Sequence, residues 1–214
     1  MTSVTGGPTL SINSSYIESE AIVSPSQSTT TATGGTGGLV DVAVHSIHLM
    51  ATGSRAEFDP LYHPEAVDHE NRVQPPSSRV AGAAGFWSTA QWLRAAFEGL
   101  HYEIHHTVAS GELVAVDSSM IGTHTAPIAF YADDGSIDSV FPPTGRAFTM
   151  SQSHWFRVRD GRITEHWADR DDLGTARQLG WIPPTPAYLL RMAVAKRRVK
   201  RSYAQGKAPT TPTE

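Results

Sequence analysis

The stretch His154-Trp-Phe-Arg-Val-Arg-Asp-Gly-Arg-Ile-Thr-Glu-His-Trp167 decides the fold. Its Asp160-Gly161 pair stands between two arms rich in aromatic and β-branched residues, a pattern that is typical of a tight β-hairpin. The two arms predict antiparallel strands over 146–159 and 162–169. The second half of the chain is therefore expected to contain a sheet.

Two further strands and two helices are predicted before this hairpin. Apolar residues recur at helical spacing in two segments, which predicts a first helix over 40–51 and a second from Phe86 to Phe97 that Gly99 ends. From residue 101 the pattern changes to strands, over 101–109 and 112–124. Helices followed by consecutive hairpins predict an α+β fold, in which N-terminal helices pack on one face of a curved antiparallel sheet.

The overall composition is that of an ordinary globular protein. Of the 214 residues, 39% are hydrophobic and 18% are charged, and no apolar run is long enough to span a membrane. The lack of cysteine excludes disulfides, a thiolate nucleophile and cysteine-based metal sites. The N-terminus shows no signal-peptide pattern, so we expect a cytoplasmic protein.

The two ends of the chain differ in composition from the middle. Residues 1–38 are rich in Ser, Thr, Gly and Pro and predict a disordered tail before a domain over 39–182. Residues 183–214 hold seven basic residues against one acidic residue, although the net charge of the chain is −4. This extension predicts either a solvated segment or a basic amphipathic helix over 188–201 that meets a membrane surface or an acidic partner. The acidic middle argues against nucleic-acid binding.

Four stretches, taken together and in this order, carry a resemblance to one family. They are His63-Pro-Glu-Ala-Val-Asp-His69, Gly122-Thr-His-Thr125, Pro142-Pro-Thr-Gly-Arg146 and the run from His154 to Gly180. Over about residues 40–182 the sequence resembles the SnoaL-like polyketide cyclases, or ester cyclases, of the nuclear transport factor two-like superfamily. The resemblance implies a cone-shaped α+β barrel around a small-molecule pocket, usually in a homodimer. It also implies ring closure of a polyketide methyl ester by intramolecular aldol condensation, without a metal or an organic cofactor.

The resemblance assigns pocket residues on the last two strands. Gln152 and His154 match the family's pocket glutamine and histidine, and their spacing of two puts them on one face of a strand. The acid/base aspartate of the family falls on Ala168, and an alanine cannot move a proton.

Three alternatives follow from this alanine. A bulge near the strand end could turn Asp169 or Asp171 inward. Histidines could replace the carboxylate, because His154 and His166 share inward parity on neighbouring strands and histidine titrates near neutral pH. The domain could also bind a small molecule without catalysing a reaction.

Four more residues are candidates for contact with a small-molecule substrate. The resemblance puts Asp68 and His69 near the pocket mouth. His124 lies at an expected bend of its strand, and Trp92 lies on the second helix. No motif such as His-Glu-x-x-His gathers metal ligands, so we predict no metal site.

One connection is longer than expected from the family resemblance. Between His124 and Pro142, the run Asp133-Asp134-Gly135 predicts a tight turn between two short apolar arms. Such an added hairpin would cover the pocket or extend a dimer interface, where substrate preference often differs between relatives.

These patterns support three hypotheses of function. The first is a cofactor-free cyclase or isomerase of a polyketide-like or other hydrophobic carbonyl compound, in which His154 and His166 exchange protons and Gln152 orients the substrate. The second is a hydrolase or dehydratase that activates water beside an inward carboxylate or amide. The third is a binding domain with apolar walls and no titratable group near its ligand. Trp155 and Trp167, on the outer face by parity, predict a homodimer interface.

Overall fold

The computed structural model describes residues 36–205, so the prediction of a disordered N-terminal tail falls almost entirely outside the described residues. This part of the chain holds five helices and seven strands, besides two short 3₁₀ turns. In chain order they are α1 (Thr36–Thr52), α2 (Arg55–Leu61), β1 (Tyr62–Asp68), α3 (Ala83–Ala96), β2 (Phe97–Ser110), β3 (Leu113–His124), β4 (Ile128–Tyr131), β5 (Ile137–Phe141), β6 (Ala147–Arg159), β7 (Arg162–Arg170), α4 (Asp172–Gln178) and α5 (Pro186–Ala204).

Both predicted N-terminal helices are confirmed, as α1 and α3, with the short helix α2 between them. Helix α3 runs directly into the sheet, because it ends at Ala96 and β2 begins at Phe97. The prediction that Gly99 ends this helix is wrong. Gly99 has a φ of 63° and lies within β2, where the pairing with β3 changes register between residues 98 and 101. The positive φ there serves a bulge rather than a helix end.

The main sheet has five strands in the order β1-β7-β6-β3-β2. Helices α1 and α3 contact its strands, which confirms the predicted α+β class. The four strands predicted from the sequence are confirmed as β2, β3, β6 and β7, and these pair antiparallel. Strand β1 was not predicted. It pairs parallel with β7 and places Asp68 opposite His166.

Strand β3 shows which face of the sheet is inward. Every second residue from Val114 to His124 is buried, and the residues between them are partly exposed. Because β3 pairs in register with both neighbours, inward rows continue across the sheet, for example from Tyr102 through Met120 to Met150.

The Asp160-Gly161 turn is followed by a register shift. Both residues have positive φ, 49° and 73°, as a tight hairpin turn of this kind requires. Between residues 157 and 158 the pairing of β6 with β7 shifts, so that His154 stands opposite Ala168. From residue 157 towards the N-terminus of β6, even-numbered residues on both strands therefore share one face. His154 and His166 lie on that common face, as their parity predicted.

The predicted hairpin around Asp133-Asp134-Gly135 forms as β4 and β5, and α5 packs on it. Tyr131, Ile137 and Val140 form a small buried cluster against which Ala195 and Val199 of α5 pack. Residues 186–204 of the C-terminal extension thus form a helix that packs on the hairpin through a few side chains, while most of its surface is exposed to solvent. None of the helices within residues 36–205 is long and apolar enough to span a membrane.

Candidate active site

A cavity of about 470 Å³ opens among α1, α3, the inward face of the sheet and the β4–β5 hairpin. The added hairpin therefore forms part of the pocket wall, as one of its two predicted roles requires. Aromatic rings dominate the wall: they belong to Tyr62, Phe86, Trp92, Phe97, Tyr102, Phe130, Phe141, Phe156 and Trp181. An apolar, aromatic enclosure of this size suits a flat hydrophobic ligand.

Four side chains on one wall of the cavity form a continuous hydrogen-bonded chain. Asp68 Oδ1 lies 3.0 Å from Nδ1 of His166. Nε2 of His166 lies 3.0 Å from Nδ1 of His154, and Nε2 of His154 lies 2.9 Å from Oε1 of Gln152. All four residues line the cavity. We call this arrangement the proton chain.

The orientation of the Gln152 amide decides which imidazole nitrogens in the chain carry a proton. Because the Gln152 amide oxygen accepts at Nε2 of His154, that nitrogen carries a proton and the Nδ1 of the ring is left as an acceptor. His166 must then donate from both nitrogens, to His154 and to the Asp68 carboxylate. In this arrangement His166 faces a carboxylate whose side chain is only 5% exposed.

The same four groups can hold one proton fewer. If the Gln152 amide rotates by half a turn, its NH₂ group donates to Nε2 of His154. Each imidazole then carries a single proton, on its Nδ1, and all the hydrogen bonds of the chain are still made. The two arrangements differ by one proton and one amide rotation. The proton chain can therefore store a single proton at a fixed place in the cavity wall.

Burial determines where that proton is held. Desolvation, and next the neighbouring charge of His166, lower the pKa of His154 well below its ordinary value, so His154 stays neutral. His166 has the Asp68 carboxylate beside it, which offsets a positive charge on its ring. A proton that enters the chain at His154 is thus more stable on His166, the next ring in the chain.

Asp68 is held in place while keeping one oxygen free. Its Oδ1 accepts from His166 and from the backbone N–H of Glu70, at 3.0 and 3.1 Å. Within residues 36–205, no hydrogen bond reaches its Oδ2. Asp68 on β1, the strand that the sequence did not reveal, thus places a carboxylate beside His166, whereas position 168 is an alanine.

Two hydroxyl groups in the wall were also missed by the sequence analysis. Tyr62 shares a hydrogen bond of 2.6 Å with Ser46, and Tyr102 donates to the Sδ of Met120 at 3.2 Å. Burial raises the pKa of both phenols, so both remain protonated donors. Inward parity on β2 was the available signal for Tyr102, whereas nothing in the sequence marked Tyr62.

The remaining predicted carboxylates lie outside the cavity. Asp169 is exposed on β7, on the face opposite to His166, and the inward bulge proposed for it does not occur. Asp171 caps helix α4, where its side chain accepts from the N–H of Gly174 at 2.8 Å. Neither residue lines the cavity, which corrects the suggestion that they replace the missing aspartate.

The other predicted contact residues divide between the wall and its surroundings. Trp92 lines the cavity and uses its indole N–H on the carbonyl of Ala129, 2.9 Å away. His69 is exposed beside Glu165, at 3.4 Å, and is not a wall residue. His124 is fully buried behind Phe97, and desolvation lowers its pKa to about 4.

Three other charged residues on the wall lie close enough to pair with one another. Arg170 lies 3.3 Å from Glu70 and 3.8 Å from Asp172, and its side chain is 27% exposed. Residues 36–205 contain no group of three His, Asp or Glu side chains placed to hold a metal ion.

A helix-backed curved sheet around an aromatic cavity defines the nuclear transport factor two-like class of α+β cones. The SnoaL-like polyketide cyclase family matches residues 42–179. The chain belongs to that family. Its match ends before α5 begins.

Named relatives agree with this assignment. The aklanonic acid methyl ester cyclase DnrD of Streptomyces peucetius is 31% identical over 151 residues, which cover 69% of this chain and 92% of the relative. The nogalonic acid methyl ester cyclase of Streptomyces nogalater is 29% identical over 130 residues, which cover 60% and 87%.

Solved structures show the same fold. The crystal structure of IdmH from Streptomyces antibioticus has a TM-score of 0.51 and 29% identity, and the match covers 66% of this chain and 98% of that one. The structure of TsrD from Streptomyces laurentii has a TM-score of 0.56 at 22% identity, with coverage of 69% and 98%.

Proposed function

We propose that this protein is a cofactor-independent cyclase or isomerase that closes or rearranges an aromatic polyketide-like carbonyl compound by general acid–base chemistry. The observation that carries the proposal is the proton chain from Asp68 through His166 and His154 to Gln152, set in the wall of an aromatic cavity. The binding-only alternative called for walls without titratable groups, and three such groups meet here.

The proposed base is Nε2 of His154. In the arrangement with one proton fewer, this nitrogen has a lone pair, and a carbon acid of the substrate takes the place of the Gln152 amide as its partner. As Nε2 receives the substrate proton, Nδ1 of His154 passes its own proton to His166. The resulting imidazolium lies beside Asp68, and the Gln152 amide rotates back so that its oxygen accepts the new N–H.

The same path in reverse completes an aldol reaction. The enolate carbon attacks the second carbonyl carbon, one carbon–carbon bond forms, and the carbonyl oxygen becomes an alkoxide. The stored proton then returns through His154 to that oxygen. Atoms and charge balance without a metal, an oxidant or an organic cofactor, and turnover that survives exhaustive chelation is the expected behaviour.

The test uses the ester types named for the relatives. Purified protein is incubated with aklanonic acid methyl ester or nogalonic acid methyl ester, and ring closure is followed by absorbance and mass. His154→Gln keeps a polar side chain but cannot relay a proton, so we expect a loss of at least about 100-fold in kcat. Ser153→Ala, next in the chain but on the opposite face, serves as the matched control and should leave kcat unchanged.

A second readout isolates the proton step. In D₂O, the wild type should exchange the acidic C–H of the substrate faster than His154→Gln does, even with an ester whose ring cannot close. Equal exchange and equal turnover in the two proteins would contradict the proposed base.

One observation favours a second candidate function. The free Oδ2 of Asp68 is a carboxylate oxygen in the cavity wall, which is what a water-activating hydrolase requires. Reaction in H₂¹⁸O separates the two functions. A hydrolase incorporates the heavy oxygen into its product, whereas a cyclase yields an isomer of its substrate without label.

We also propose a cytoplasmic homodimer, joined through the outer face of β6 and β7. Trp155 and Trp167 are paired residues on that face and are only partly buried within one chain. Light scattering should give twice the chain mass of 23.1 kDa. A monomer mass that persists at high concentration would contradict this.

A further inference from the structure

Two hydrogen-bond donors in the cavity are bonded to methionine sulfur atoms. The Tyr102 hydroxyl donates to Sδ of Met120 over 3.2 Å, and the Gln152 amide nitrogen donates to Sδ of Met150 over 3.1 Å. All four side chains line the cavity. Tyr102 is 8% exposed and Gln152 is 4% exposed, so both side chains are largely shielded from bulk water.

The sheet register puts the two donors into one patch. Tyr102 is the pairing partner of Met120, and Met120 is the pairing partner of Met150. Directly opposed residues on antiparallel strands have side chains about 5 Å apart. Gln152 follows Met150 by one inward position on β6. The hydroxyl, the amide and their two sulfur atoms therefore occupy adjacent places on the same wall.

A thioether sulfur is a weak acceptor, whereas a phenol and a primary amide are ordinary donors. A buried polar group is usually paired with an oxygen or a nitrogen, because a poorly satisfied donor is costly in an apolar site. A ligand oxygen that enters the patch replaces two weak bonds by two normal ones. The sulfur atoms keep the donors oriented until that happens.

We propose that Tyr102, together with the Gln152 amide, donates hydrogen bonds to a carbonyl oxygen of the ligand and stabilises the negative charge that develops on it. This inference rests on the proposed function and specifies its substrate class: a planar compound with a carbonyl group next to the carbon that loses its proton. When that proton leaves towards His154, the carbonyl becomes an enolate. Two donors aimed at its oxygen stabilise the enolate more than the ketone.

The test measures the carbonyl itself and does not need turnover. The probe is 9,10-anthraquinone labelled with ¹³C at its carbonyl carbons, and its C=O stretching band is recorded by isotope-edited infrared spectroscopy in the free and bound states. A hydrogen bond to the oxygen lowers the frequency of this band. We expect a lowered band in the wild type, a band nearer to the unbonded frequency in Tyr102→Phe, and binding weaker by up to about tenfold.

Two further variants guard against a purely structural effect. Tyr131→Phe removes a hydroxyl that pairs with Tyr203 outside the cavity, and it should give the wild-type band. Met120→Leu removes the sulfur acceptor and leaves Tyr102 without its partner, so the probe should bind more tightly and its band should stay low. Weaker binding in Tyr102→Phe and tighter binding in Met120→Leu are expected only if the Tyr102 hydroxyl is a donor that the sulfur of Met120 holds in place.

The outcomes separate this inference from the proposed function. An identical band in the wild type and Tyr102→Phe, or no binding of the quinone by the wild type, overturns the inference. Ring closure of a methyl ester, together with the same band in the wild type and Tyr102→Phe, would overturn the carbonyl site but not the proposed function. A lowered band in a wild-type protein that closes no ring would overturn the proposed function and not the carbonyl site.

Discussion

Nδ1 of His154 and Nε2 of His166 lie 3.0 Å apart, and the two ring planes are inclined by only 23°, with 5.3 Å between ring centroids. A contact of this length between two imidazole nitrogens accommodates one proton. Asp68 is hydrogen-bonded to His166 and Gln152 to His154. We therefore expect the exchange of a proton with a ligand at the Gln152 end of the chain.

Asp68→Asn should reduce turnover by about 100-fold. The substitution removes the charge beside which the stored proton is held, while an amide keeps the size of the side chain. The measurement is kcat for ring closure of the polyketide methyl ester, with circular dichroism to show that the fold is retained. Asp169→Asn, on the exposed face of β7, should change kcat by less than twofold. A larger loss of kcat in Asp169→Asn than in Asp68→Asn would show that the carboxylate needed for the reaction lies on β7.

Ala168→Asp should shift the pH dependence of the reaction. Position 168 pairs directly with His154, so a carboxylate there would raise the pKa of His154 from its depressed value. A base with a higher pKa becomes protonated at a higher pH, and the acid limb of the kcat/KM profile should move upward. Ala168→Asn provides the same volume without charge. If both variants show the same profile as the wild type, His154 is not the titrating base.

Much of this arrangement could be predicted from the sequence, and the exceptions have physical causes. Four strands and two helices have periodic patterns, and the matched motifs brought Gln152 and His154 to one face. Strand β1 has no such pattern, because only its partner β7 fixes it, through parallel pairing. Asp68 was therefore placed near the mouth of the pocket and not within hydrogen-bonding distance of His166.

The register of the β6–β7 hairpin shows another limit of sequence analysis. A regular two-residue turn would set His154 opposite Trp167 and send His166 to the other face. The bulge between residues 157 and 158 moves the pairing by one residue. The parity prediction was right because of an irregularity that periodicity does not encode. The hydrogen bond from Tyr102 to the sulfur of Met120 also became visible only once the register was known.

His124 should make the stability of the protein depend on pH. Its pKa is about 4 in the folded chain and near 6.5 when unfolded, so between these values the unfolded chain binds a proton that the folded chain excludes. The free energy of unfolding should thus fall as the pH drops from 7 to 4, by about 3 kcal/mol from this residue. Below pH 4 this contribution should not grow further.

The comparison that checks this is urea unfolding of the wild type and His124→Gln at pH 7 and pH 4. The drop in unfolding free energy between the two pH values should be smaller in the variant. His48→Asn changes an exposed histidine on α1 and should keep the wild-type drop. An equal drop in the wild type and His124→Gln would show that another group is responsible.

Helix α5 should contribute to stability through Tyr188. This side chain is 6% exposed, and its hydroxyl donates to the carbonyl of Pro142 at 3.0 Å, where the chain leaves the β4–β5 hairpin. Tyr188→Ala should lower the free energy of unfolding by about 3 kcal/mol, the usual loss for a buried aromatic ring. Leu190→Ala, two residues further along at 68% exposure, should cost less than about 0.5 kcal/mol.

The same pair of variants links the helix to the cavity. The hairpin that α5 braces supplies Phe130 and Phe141 to the pocket wall, so loosening the helix should also loosen that wall. We expect Tyr188→Ala to weaken binding of the quinone probe, whereas Leu190→Ala should not. Loss of stability without loss of binding would mean that the hairpin keeps its place through its contacts with α3, among them the hydrogen bond from Trp92 to Ala129.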